Sequence, residues 1–263
     1  MVKKKLGESV SLARIKAESN LLEAWLKRFF VGSQDLVTVD YDMWLLNFES
    51  LVKSIEEAGL EFTTDYQYAA LADELRANAA SFAAFKNHDE QEALRNLLTD
   101  DDGKPRSWNE FKKAAQPITE KYNKTWLKTE YDQAVASSQM AVKWEGFAAN
   151  ADIYPNLEYR AVGDSKTRPE HAKLDGTILP ISDKFWNKYY PPNGWGCRCS
   201  VTQTDKEPTK EPEADKPDKG FDFNPGKDKK LFADDNGYQD KVNKKESKKI
   251  EKQANEYLDK YLK

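Results

Sequence analysis

Between Trp108 and Gly146 the chain reads WNEFKKAAQPITEKYNKTWLKTEYDQAVASSQMAVKWEG, with no glycine before the last position. So long an uninterrupted run of helix-compatible residues has to be housed as an extended rod. Ile118, Tyr122 and Trp126 fall on one face, and Met140 and Trp144 follow at helical spacing, so the stripe reads as core. Pro117 fits a helix start, where its missing N–H costs nothing. The preceding sequence supplies neighbours for the rod. Leu22, Trp25, Leu26 and Phe29 recur at steps of three and four within SLARIKAESNLLEAWLKRFF. DYDMWLLNFESLVKSIEEAG predicts a second helix ending at Gly59, and TDYQYAALADELRANAASFAAF a third. Residues 1–150 are therefore expected to form a helical domain.

From Ala151 the texture changes to short apolar pieces and turn residues, NLEYRAVGD, LDGTILPISD and FWNKYYPPNGWGCRCSVTQ. Strands and turns are expected over residues 151–203, giving an α+β protein overall. One helical turn interrupts them, because TRPE offers Thr167 as N-cap with Glu170 as its reciprocal partner. Trp186, Tyr189, Tyr190 and Trp195 would supply a small aromatic core. Residues 204–219, including DKEPTKEPEADKPDK, have nothing apolar and large to bury, and read as a flexible linker. Residues 220–263 form a tail, with GFDFNPG as an aromatic-bearing turn. In the final lysine-rich helix, Ile250, Ala254, Tyr257, Leu258 and Tyr261 share a face that needs a partner, within the chain or outside it.

Charge narrows the function classes. The formal net charge is −4, which gives no global attraction to DNA or to an anionic membrane, so any DNA contact would be local. A mean hydropathy of −0.85 and the absence of a long apolar run argue against a membrane span, and the opening MVKKKLGESV lacks the apolar stretch of a secretory signal. Both cysteines are expected to be reduced, since Cys197 and Cys199 are too close in sequence for an unstrained disulfide.

In an extended strand Cys197 and Cys199 point to the same side. With His171 they make three soft or borderline donors suited to zinc, and Asp164 or Asp175 could supply a fourth. The alternative is packing, both thiols acting as small hydrophobes and His171 bonding to backbone. His88, in KNHDEQ after the third helix, reads as a surface residue. No G-x-S-x-G elbow, H-E-x-x-H helix, dinucleotide fingerprint or phosphate loop occurs, which leaves a metal-dependent hydrolase or nuclease built on His171, Cys197 and Cys199 as the enzymatic alternative. Arg160, Arg168 and Arg198 bracket the same stretch; their forked guanidinium groups suit carboxylates of a neighbouring subunit or phosphate oxygens of DNA, or would tie the stretch together through Asp164 or Asp183.

YNKTWLKTEYDQA, LEYRAVGDSKTRPEHAKLDGTILPISDKFWNKYYPPNGWGCRCSV and GFDFNPG together resemble the head-morphogenesis, or minor head protein, family of tailed bacteriophages, the type called phage Mu protein F-like. The resemblance runs from about Tyr122 to Gly226, with gaps. It rests on the order of Asp164, Arg168, His171, Leu174, Gly176, Pro191, Pro192, Cys197, Arg198 and Cys199. It implies a non-enzymatic component of the virion, assembled in the host bacterial cytoplasm with portal, capsid or scaffold proteins and with a role in DNA packaging or delivery. The terminal helix is then the expected docking element.

Overall fold

The computed structural model describes residues 12–32, 39–60 and 66–263. The opening segment read for a signal, and the expected third-helix start at Thr64, lie outside the described residues. Helices α1 (Leu12–Val31), α2 (Tyr41–Glu57) and α3 (Tyr66–Arg95) come first. Asp40 caps α2 by accepting from the N–H groups of Asp42 and Met43, and Gly59, at φ +87°, turns the chain out of it. The long rod follows as α4 (Trp108–Glu120), a π-helical turn over Lys121–Trp126, and α5 (Leu127–Ala149). Its start is a capping box: Ser107 Oγ accepts from the Glu110 N–H while the Glu110 carboxylate accepts from the Ser107 N–H. Pro117 therefore lies inside α4 and not at a helix start. The bond it cannot donate is lost one turn before the hydrogen-bond ladder widens at Lys121.

The main core gathers Trp44, Phe48, Leu51 and Ile55 of α2, Leu75, Ala79, Phe82 and Ala83 of α3, and Ala134 and Ala141 of α5. Trp25, Leu26 and Phe29 of α1 make a smaller cluster with Met43, Phe111 and Ala115, so the first apolar stripe is core as expected. The third helix runs ten residues beyond its expected end, because KNHDEQEALR contains nothing that stops a helix. His88 consequently sits inside α3 and is buried, not at the surface.

The terminal helix α9 (Lys244–Tyr261) finds its partner inside the chain. Ile250 and Ala254 are fully buried in the main core, with Tyr257, Leu258 and Tyr261 packed against it. Tyr257 Oη donates to the Val39 carbonyl at 2.6 Å, and Gln253 Oε1 accepts from the Val39 N–H at 2.9 Å. The face expected to dock elsewhere is thus already covered.

Beyond α5, strands β1 (Asn156–Arg160), β2 (Ile178–Pro180) and β3 (Ser200–Thr204) form one antiparallel sheet in the order β2-β1-β3. Leu157 stands opposite Leu179 on one side and Gln203 on the other. Single-turn helices α6 (Pro169–Ala172) and α7 (Trp186–Tyr189) lie in the connections, and α8 (Pro225–Asp228) follows the sheet. The α+β class holds. Met140 and Trp144 of α5 pack with Leu157, Tyr159, Leu174, Trp186, Tyr190 and Val201, so α5 serves the helical core along one stretch and the sheet's core along another. Trp195 is not in this core; its ring meets Phe221 edge-on at 5.2 Å. Residues 205–218 hold no helix or strand. They are tied at Thr209, which exchanges hydrogen bonds with the backbone of Ile178, and at Asp215, paired with Lys173 at 2.7 Å.

GFDFNPG has a specific packing job. Asn224 caps α8 by accepting from the Gly226 and Lys227 N–H groups and donates to the Trp186 carbonyl. This sets Gly226 directly on Trp144: a Cβ there would stand 2.2 Å from Trp144 Cβ and 2.4 Å from Cγ. Gly226→Ala is expected to lower stability by about 3 kcal/mol through overpacking against a helix that cannot retreat. Chemical denaturation would show it as a lowered midpoint with an unchanged slope. A midpoint equal to the wild type's would mean that α8 is not seated on Trp144.

Candidate functional site

The site is built on the loop after β1, on α6 and on the PPNGWGCRC loop that leads into β3. Asp164 turns the first loop: its Oδ1 accepts from the Lys166 N–H at 3.0 Å and from Thr167 Oγ1 at 3.2 Å. Thr167 is therefore not the cap of α6. Pro169 occupies the first helical position, which makes Arg168 the cap residue, and Arg168 caps with no side-chain bond. His171 follows in that turn and is buried. Gly176, at φ +73°, lets the chain reverse so that its N–H reaches the Tyr159 carbonyl, while the Tyr159 N–H reaches Thr177.

On the opposite wall Pro191 and Pro192, joined by a cis peptide, are buried with Asn193. Tyr159 Oη donates to Asn193 Oδ1 at 2.8 Å, which fixes the loop to the centre of the sheet. The two arginines close the structure. Arg198 forks onto Asp164, Nη1 to Oδ2 at 2.8 Å and Nη2 to Oδ1 at 2.7 Å. Arg168 donates to the Trp195 carbonyl at 2.6 Å and lies 3.9 Å from Asp218. The hydrogen bonds from Arg198 hold the Asp164 carboxyl well below the usual carboxylate range. Arg160 pairs with Glu158 instead, and Asp183 caps its own turn through the Phe185 N–H.

Between these walls His171, Cys197 and Cys199 converge. Each Sγ is 3.7 Å from His171 Nδ1, and the three ligand atoms all lie within 4.8 Å of one another. Asp164 and Asp175 stay outside this group: both oxygens of Asp164 face Arg198, and Asp175 Oδ1 accepts from the Ala161 N–H at 2.8 Å. Both cysteines are free thiols. A hydrogen bond from Cys199 pulls the Cys197 thiol pKa down and pushes that of Cys199 up, so the pair behaves as two sulfurs sharing a proton. The hydrogen bond to Cys197 raises His171. The group opens into a cleft of about 80 Å³ bordered by Lys166, Arg168 and Arg198. A larger cleft of about 460 Å³ lies beside Trp126, Trp195 and Tyr238. Its carboxylate, Glu130, is already engaged by Lys86 and Tyr238.

A family model described as Phage Mu protein F like protein matches residues 106–202. This segment is similar to that family. It takes in α4, α5, the three strands except the last residues of β3, and all of the convergent donors. It begins earlier than the quoted motifs and stops short of GFDFNPG. Over 75 residues the chain is 43% identical to a "Putative capsid assembly protein F" of Escherichia phage Mu, covering 28% of this chain and 17% of that protein. Over 78 residues it is 41% identical to a "Mu-like prophage FluMu F protein" of Haemophilus influenzae, covering 30% of this chain and 18% of that one. The matched stretch thus spans under a fifth of each relative. No solved structure matches the chain.

Sequence reasoning missed Asn193 and Tyr159 as the anchor of the Mu F-like loop, and Asp218 as the neighbour of Arg168. An Asn behind two prolines is a turn signal by default, and nothing local announces that its side chain reaches a strand. Among the described residues no helix is long and apolar enough to cross a membrane.

Proposed function

We propose that the chain is an assembly component of a tailed-phage or prophage head, joining the particle with portal, capsid or scaffold proteins in the host cytoplasm and remaining in the virion. The observation that carries this reading is the 43% identity over 75 residues to a protein named for capsid assembly. The geometry supports binding over turnover. Both oxygens of Asp164 are committed to Arg198, which makes that carboxylate a brace for the loop and not a base. The Arg198 fork, the Arg168 bond to the Trp195 carbonyl and the Tyr159–Asn193 bond brace the surface around the motif, the preorganisation that a subunit contact uses.

Co-expression with the portal and major capsid proteins of the same phage or prophage tests the reading. The chain is expected to sediment with procapsids and to withstand a high-salt wash. Exclusion from particles, combined with His171-dependent cleavage of nucleic acid or peptide, would overturn it in favour of the metal-dependent hydrolase or nuclease.

A further inference from the structure

Three metal-competent donors, His171, Cys197 and Cys199, converge within 4.8 Å of one another. His171 Nδ1 faces two sulfurs at equal distance, yet a neutral imidazole nitrogen carries at most one proton and can satisfy only one of them.

The spacing can be compared with that of a metal-ligand set. A tetrahedral zinc with Zn–S of about 2.3 Å and Zn–N of about 2.05 Å requires S···N edges of about 3.6 Å. Both observed edges are 3.7 Å. A site of this size needs almost no rearrangement to receive the ion, and its two sulfurs and one nitrogen select a borderline-soft metal over magnesium or calcium. We propose that His171 Nδ1, Cys197 Sγ and Cys199 Sγ bind one zinc ion, with a solvent water as the fourth ligand on the side of the cleft lined by Lys166, Arg168 and Arg198. The ion ties α6 to the loop entering β3, across residues 26 and 28 positions apart, so metal and fold stability are linked. The inference stands independently of the assembly role.

The full chain, purified under reducing conditions, is expected to carry about one zinc per molecule by emission spectrometry, the stoichiometry of a single site. Cobalt(II) in its place should give thiolate-to-metal charge-transfer absorption and the intense visible bands of a tetrahedral ion. A strong chelator should lower the wild-type Tm by about 10 °C, and added zinc should restore it. Cys197→Ser, Cys199→Ser and His171→Ala should each lose the metal and the chelator response, whereas Asp164→Asn should keep both. The chelator arm uses the folded wild type, so it remains decisive if a variant fails to fold. A wild type that takes up no zinc or cobalt when offered an equivalent, and whose Tm ignores the chelator, overturns the site. Loss of metal in Asp164→Asn, with the fold intact, overturns the ligand set.

Discussion

Glu90→Gln is expected to make the protein about 3 kcal/mol more stable at pH 7 and to remove most of its stability loss between mildly acidic and mildly alkaline pH. Glu90 is fully buried, and burial pushes its carboxyl up to about 8, against the opposing pull of Lys86 and the hydrogen bond from Asn123. Glu130 and Asp89 add to the upward push. In the unfolded chain the same group titrates near 4.5. Between those two values the folded state keeps a proton that the unfolded state has released, so stability falls as pH rises through the window and the full penalty is present above it. The surroundings suit the neutral acid. Asn123 Nδ2 donates to Glu90 Oε1 at 2.7 Å, while Glu90 Oε2 and Asn123 Oδ1 are buried without hydrogen-bond partners. A proton on Oε2 lets acid and amide pair twice, and a glutamine amide does the same at every pH. Urea denaturation at pH 5, 7 and 8.5 checks this: the wild type should weaken along the series and the variant should not. Parallel curves would show that Glu90 is ionised in the fold.

Removing residues 239–263 is expected to abolish cooperative unfolding, with Ile250→Asp alone costing about 4 kcal/mol or more. Ile250 and Ala254 are fully buried between helices laid down far earlier in the chain, and α9 also supplies both hydrogen bonds to Val39. Cutting it away opens a flank of Trp44, Phe48 and their neighbours to water. Thermal melts and amide dispersion of the truncated chain decide between two roles. A broad, non-cooperative melt makes the helix a core element. A sharply melting truncation that fails only to enter particles would return it to the docking role read from its sequence.

How far the sequence speaks is clear from such cases. The helical run and the strand texture were legible because periodicity acts over a few residues, whereas His171, 26 and 28 positions from the two cysteines, was a candidate by its donor chemistry and not by any local pattern. The α9 stripe was legible as a stripe, but hydrophobic period cannot say whether a partner lies within the chain or beyond it. His88 was misplaced because helix ends are read from stop signals, and KNHDEQEALR holds none. Its neighbours Lys86 and Glu90 look like solvent-facing charges. Lys86 is instead paired with Glu130 inside the core, 44 positions away, and only tertiary contact reveals that compensation. Thr167 matched a capping box as a string, but Pro169 moved the helix start by one residue and Asp164 claimed its hydroxyl. Gly226 carried no local mark of the Trp144 face that requires it.

The burial of α9 against α2 and α3 also sets an order of events during synthesis. Tyr257 and Val39 meet across 218 positions, so α2 and α3 leave the ribosome long before the helix that covers them. Through that interval their apolar flank has no native cover, while the whole Mu F-like segment is translated and can form its sheet on the end of α5. Closing so long a loop makes completion of the helical core a late and comparatively slow step. The half-made chain is therefore the form most exposed to chaperones, to proteases and to premature association with other growing chains.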